Sequence, residues 1–128
     1  MRTNLLVLVL VAAILLATAG PMAAHHAWQL DRSRLLNLKG TVTSFAFSNP
    51  HVQIYFDVKD ADGNIEKWTA GGASPNRLSR SGWTRETLKP GDEVTVAGYR
   101  SRNGTSVVRF DSVALGDGQP IGGYQQGR

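Results

Sequence analysis

The sequence predicts a mainly β domain: five short strands curled into a small, partly open barrel, with one short helix between strands 3 and 4. Three observations carry this. From residue 39 onward, runs rich in β-branched and aromatic residues alternate with Gly, Asn, Asp and Pro turn signals. Ser74-Pro75 opens the one stretch with a helical start signal. The order strand, strand, strand, helix, strand, strand fills about 80 residues, the arrangement of an OB-like barrel. The alternative is a small β-sandwich, which needs about seven strands. The chain offers five, plus a short piece around Arg34 to Leu38.

Each element has its own warrant. Gly40 to Phe47 forms the first strand, and Ser48-Asn49-Pro50 ends it. In the second, His51 to Lys59, Val52, Ile54, Phe56 and Val58 point one way while Gln53, Tyr55 and Asp57 point the other. Asp60 to Asn64 makes a hairpin turn, with Gly63 and Asn64 suited to positive φ, and Ile65 to Ala70 returns as the third strand. The Asp60, Asp62 and Asn64 spacing invites a calcium reading, but it lacks the twelve-residue loop with its closing Glu, so these residues read as a turn. Ser74 caps a helix running to Ser81, and Gly82 stops it. Thr84 to Leu88 makes a further turn, and Lys89-Pro90-Gly91-Asp92 launches Glu93 to Arg100. Arg102-Asn103-Gly104 is a second hairpin signal before the last strand, Val107 to Leu115. There the apolar phase slips between Phe110 and Val113, which predicts a bulge near Asp111 or Ser112. From Gly116 to residue 128 the Gly-rich tail is expected to be loosely ordered.

The amino-terminal segment speaks to compartment. Arg2 precedes an unbroken apolar run, Leu5 to Ala17, followed by the small-x-small pattern Ala17-Thr18-Ala19. This reads as a secretory signal peptide. The run is shorter than the roughly 20 residues needed to span a bilayer, and Pro21 follows it, so no stable membrane span is expected after cleavage. Cleavage after Ala19 fits the pattern, and so does cleavage after Ala23 or Ala24. The domain plan is therefore residues 1–24 as signal peptide, 25–115 as barrel and 116–128 as tail, with a periplasmic location. Lys and Arg number 14 against 10 Asp and Glu, a mildly basic balance. With no Cys in the chain, disulfides, thiolate nucleophiles and cysteine zinc sites are excluded.

Two histidines, His25 and His26, stand together at the expected mature terminus, and the third, His51, follows Asn49-Pro50 at the mouth of the second strand. Imidazole donors without thiolates suit Cu(II) or Zn(II). Adjacent residues on an extended chain point to opposite sides, so one of the pair can readily join His51 at a shared ion. Cleavage after Ala24 would add the terminal amine of His25 to the donor set. After Ala23, the amine, two amides and the His26 imidazole could hold Cu(II) or Ni(II) in a square plane. The plainer account is a polar amino-terminal tail and a hydrogen-bonded strand-end histidine.

These residues also carry a resemblance. His25-His26 after a signal peptide, Gly40-Thr41-Val42, Asn49-Pro50-His51, the Asp62-Gly63 hairpin, Trp68, Ser74-Pro75-Asn76, Gly82-Trp83, Lys89-Pro90-Gly91-Asp92 and Gly98-Tyr99 resemble a family of small exported bacterial proteins of unknown function. The likeness runs from about His25 to about Leu115. At Ala27-Trp28 the chain departs from it, where the family pattern has serine and phenylalanine. The resemblance implies an exported β-rich domain and adds weight to His25, His26 and His51. It brings no reaction with it.

The competing reading is a metal-free module that binds a cell-envelope component, glycan or protein, through Tyr55, Trp68 and Tyr99. Arg77, Arg80, Arg85, Arg100 and Arg102 would supply positive charge, as in barrels that bind single-stranded nucleic acid. Export argues against nucleic acid as the ligand. No nucleophile elbow, flanking carboxylate pair or phosphate loop is present, so catalysis is not expected.

Overall fold

The computed structural model describes residues 28–122, together with Asn4 and Val7. The rest of the expected signal peptide, His25 and His26, and the tail beyond Gly122 lie outside the described residues. The elements are β1 (Leu30–Ala46), β2 (Gln53–Lys59), β3 (Ile65–Gly71), α1 (Pro75–Ser79), β4 (Glu93–Ser101) and β5 (Val107–Leu115). They close into a barrel in the order β1-β2-β3-β5-β4, with β4 returning to β1. This is the five-stranded OB-type ring that the sequence predicts. Every pairing is antiparallel except β3 with β5, a parallel seam of three residue pairs, Thr69 with Val107, Ala70 with Val108 and Gly71 with Arg109. Among the described residues, no helix is long and apolar enough to cross a membrane.

The first strand differs most from expectation. The short piece at 34–38 and the strand at 40–47 are one strand of 17 residues. Its first part pairs with β4 and its last part with β2, and Thr41 pairs with both, opposite Asp57 and Glu93. A strand that serves two neighbours must bend between them, and at Gly40 a Cβ would stand 2.4 Å from the Asp57 carbonyl oxygen. Thr43 has no partner in the β1–β2 register, so the inward phase moves from Leu36, Leu38 and Val42 to Phe45 and Phe47.

The bulge expected in the last strand is present. Ala97 faces Ser112 and Gly98 faces Phe110, which leaves Asp111 as the extra residue and keeps both Phe110 and Val113 buried. At the first hairpin, the Asp60 carboxylate accepts from the Asp62 and Asn64 amides, 2.9 Å each, and Gly63 takes a φ of +83°. That carboxylate serves the turn itself. Helix α1 is shorter than expected and ends at Ser79. Ser74 Oγ caps the Arg77 amide, and Gly82 takes a φ of +89°.

The core is built from Val52, Ile54, Phe56, Ala70, Val94, Val96, Val108 and Phe110, the inward residues of alternating strands. Trp83, on the segment after α1, closes one end of it, stacked on Phe110 at 5.7 Å and 10°. Its indole N–H donates to the Ile121 carbonyl at 3.0 Å. That contact corrects the expectation of a loose tail over its first part, residues 116–121. Residues 116–121 turn back on β5, with bonds from Leu115 N to Gln119 O and from Ile121 N to Val113 O. They pair the free edge of β5 beyond its short seam with β3.

Candidate functional site

The structure gathers a small cluster around His51, at the outside of the barrel where β3 ends. Val52 exchanges backbone hydrogen bonds with the segment after β3, donating to Ala73 O at 3.0 Å and accepting from Gly72 N at 2.9 Å. This sets His51 beside the Gly71-Gly72 pair. Both glycines are there because an aromatic ring occupies the space of a side chain. A Cβ on Gly72 would meet the Phe110 ring at 2.1 Å on the core side, and a Cβ on Gly71 would meet the Trp28 indole at 2.4 Å on the outer side.

Trp28 thus rides over bare backbone. Its ring meets His51 edge-on, centroids 6.0 Å apart and planes at 72°. The Arg109 guanidinium sits 5.6 Å from the indole centroid. Gly71 and Arg109 are partners in the parallel seam, so Trp28 lies across the place where the barrel closes. His51 Nδ1 is shielded from solvent and has no hydrogen-bond partner among the described residues. A strand-end histidine bonded to a neighbouring carbonyl would have satisfied that nitrogen.

Next to this cluster is the bulged Asp111. Burial pushes its carboxyl above the ordinary carboxylate range, with Arg32 and Arg109 pulling it partly back. Among the described residues, no group of three or more His, Asp or Glu side chains could hold a metal ion. Of the three candidate ligands only His51 is described. The first residue described after His25 and His26 is Trp28, the residue against His51.

The three expected aromatic ligand residues do not share a face. Trp68 is 5% exposed and points into the barrel opposite Phe56, so it belongs to the core rather than to a platform. Tyr55 is exposed on the outside of β2. Tyr99 is half-buried on β4, between Leu35 and Arg109 in register, with the Arg32 guanidinium 5.5 Å from its ring. β2 and β4 are not neighbours in the ring.

Two of the arginines are occupied locally. Arg100 donates to the Gly104 and Thr105 carbonyls while its guanidinium lies 5.0 Å from the Trp68 ring, and Arg102 donates to Leu30 O. Nearby, the Ser106 hydroxyl holds the Glu66 carboxyl below the ordinary range, and the Trp68 N–H adds to this although it stands outside hydrogen-bond geometry. An open groove between Lys39, Gly40, Thr41, Asp57, Lys59, Ile65 and Glu93 mixes both signs of charge and selects for neither.

Sequence reasoning missed Gly71, Arg109 and the place of the Trp28 ring against them. The available signal was the Gly-Gly pair directly after a well-patterned strand, which marks close approach to the backbone.

Among solved structures, the chain is similar to a mitochondrial single-stranded DNA binding protein from S. cerevisiae, at 12% identity over 64% of this chain and 92% of that one, TM-score 0.49. It is also similar to a small single-stranded DNA-binding protein from Streptomyces coelicolor, at 19% identity over 64% and 91%, TM-score 0.47. A third likeness is to TiaS in a complex with tRNA and ATP, at 17% identity over 72% of this chain and 20% of that one, TM-score 0.46. No curated protein matches the sequence. The model of a family of unknown function, DUF6152, matches residues 12–109, a span that takes in all three histidines, Trp28, Gly71 and Arg109; the chain belongs to that family.

Proposed function

We propose that this is an exported, non-catalytic binding or accessory protein of the periplasm that holds a transition metal, Cu(II) or Zn(II), through His25, His26 and His51. The observation that supports it best is the enclosed Nδ1 of His51, which has no partner among the described residues, on a ring that meets Trp28 edge-on. His26 is joined to Trp28 by two peptide units, which span at most about 7 Å between Cα atoms. The two other candidate ligands thus stand two and three residues before Trp28 in the chain. An all-imidazole set suits Cu(II) and Zn(II), and a terminal amine at His25 would strengthen a copper site further.

Copper titration of the natively exported protein tests this. The expected result is sub-micromolar binding that His51→Ala or His26→Ala weakens at least about tenfold. Unchanged binding in both variants overturns the metal reading. An intact mass beginning at Gly20 would remove the terminal amine from the donor set. A second reading, a metal-free envelope module, draws on the exposure of Tyr55, 37%. It predicts retention on envelope material that survives a chelator.

A further inference from the structure

We propose that the free edge of β1 from Leu35 to Lys39 is a self-association surface, where a second copy of this chain pairs antiparallel about a two-fold axis at Asn37. The surface is separate from the histidines. Over this stretch, among the described residues, β1 is paired on one side alone, with β4; its pairing with β2 begins at Thr41. Val42 donates to Asp92 O and accepts from Gly91 N, so its backbone groups turn toward the β4 side. Alternation along an antiparallel strand turns Gly40, Leu38 and Leu36 the same way. It leaves the N–H and C=O groups of Leu35, Asn37 and Lys39 aimed away from β4, with no strand beside them among the described residues.

The side chains agree with the backbone. Leu36 and Leu38 have the inward phase and pack against the core, yet both are half-buried at this uncovered edge. Leu35, on the outer phase, is 46% exposed. Two-fold pairing at Asn37 sets Leu36 of one copy beside Leu38 of the other, and the symmetry repeats the contact. The charges suit the same register. Lys39, the charged residue of the stretch, falls opposite Leu35 instead of a second Lys39. Arg34 comes opposite Gly40, at the groove that holds Asp57 and Glu93. β2 at Thr41 and the register shift between Leu30 and Leu35 bound the edge at its two ends, which leaves one register for the pairing.

Sedimentation equilibrium of the natively exported, metal-free protein tests this, with thermal melts as the check on folding. Wild-type protein should form a dimer in a concentration-dependent way. Asn37→Pro should stay monomeric at every concentration yet keep the melt of dilute wild-type protein, because the Asn37 N–H serves no bond inside the chain. Leu35→Lys sets lysine opposite Lys39 twice and should raise the dimer dissociation constant about fivefold, whereas Leu35→Glu sets a carboxylate there and should lower it by a similar factor. A wild-type protein that remains monomeric overturns the proposal, and so does a dimer that survives Asn37→Pro. Equal shifts in the two Leu35 variants overturn it too, since Lys39 would then not be the residue opposite. A monomeric wild type whose melt collapses in Asn37→Pro would show that a segment of the same chain holds the edge, which also overturns it.

Discussion

Asp111 shows how one inserted residue creates a local electrostatic cost. The bulge keeps Phe110 and Val113 inward, and it leaves the Asp111 carboxyl partly buried, with its pKa raised chiefly by desolvation. A carboxyl whose folded value lies above its unfolded value contributes most to stability in acid, and that contribution is lost as pH rises through the folded value. Asp111→Asn should therefore raise the thermal midpoint at pH 7, by a free energy on the order of 0.5 kcal/mol, with the gain vanishing near pH 4. Thermal melts of both proteins across that range check it. The phase slip between Phe110 and Val113 made this bulge legible in the sequence. That its extra residue would lie near Arg32 and Arg109 was not, because Arg32 reaches it from a different strand.

The connecting elements divide in the same way. The turn before β4 was legible because its parts are adjacent: Lys89 Nζ donates to Asp92 Oδ1 at 2.8 Å, Lys89 N to Oδ2 at 3.0 Å, and Gly91 takes a φ of +94°. The Lys89 side-chain bond, then its backbone bond, holds the Asp92 carboxyl below the ordinary range. Here the sign is opposite to that of Asp111. The stabilisation is present above the unfolded carboxylate value and is lost as pH falls through the lower folded one. Asp92→Asn should cost about 1 kcal/mol at neutral pH, and the two proteins should converge as pH falls through the lowered folded value. Urea unfolding at several pH values measures this. β1 was misread as a strand with a detached piece because Thr43 breaks its alternation and Gly40 interrupts it. Only the pairing with both β4 and β2 shows that the two pieces are continuous.

At the scale of the whole molecule, closure is the weak point. The β3–β5 seam has three residue pairs, and beyond it β5 is covered by the returning tail. Ending the chain after Leu115 would uncover that edge and remove the Ile121 carbonyl that accepts from the Trp83 indole. The expected result is a loss of about 1–3 kcal/mol, with concentration-dependent association through the exposed strand. Thermal denaturation and size-exclusion chromatography at two concentrations report the two effects. A truncated protein as stable and as monodisperse as the full chain would show that the tail has no such part.

The succession of elements along the chain, the turn positions, the helix start and the β5 bulge were all determined by the sequence alone, because each depends on neighbours within a few residues: alternation, a cap, a glycine at positive φ. The histidines were also visible there as residue types that bind metals. Whether His51 has company was a matter for tertiary structure. Trp28, His51, Gly71 and Arg109 come from four separate segments, and they meet only because a short parallel seam joins β3 to β5 and leaves a bare glycine for an indole to cover. Contacts between residues so far apart in the chain follow from how the barrel closes, and no local pattern encodes them.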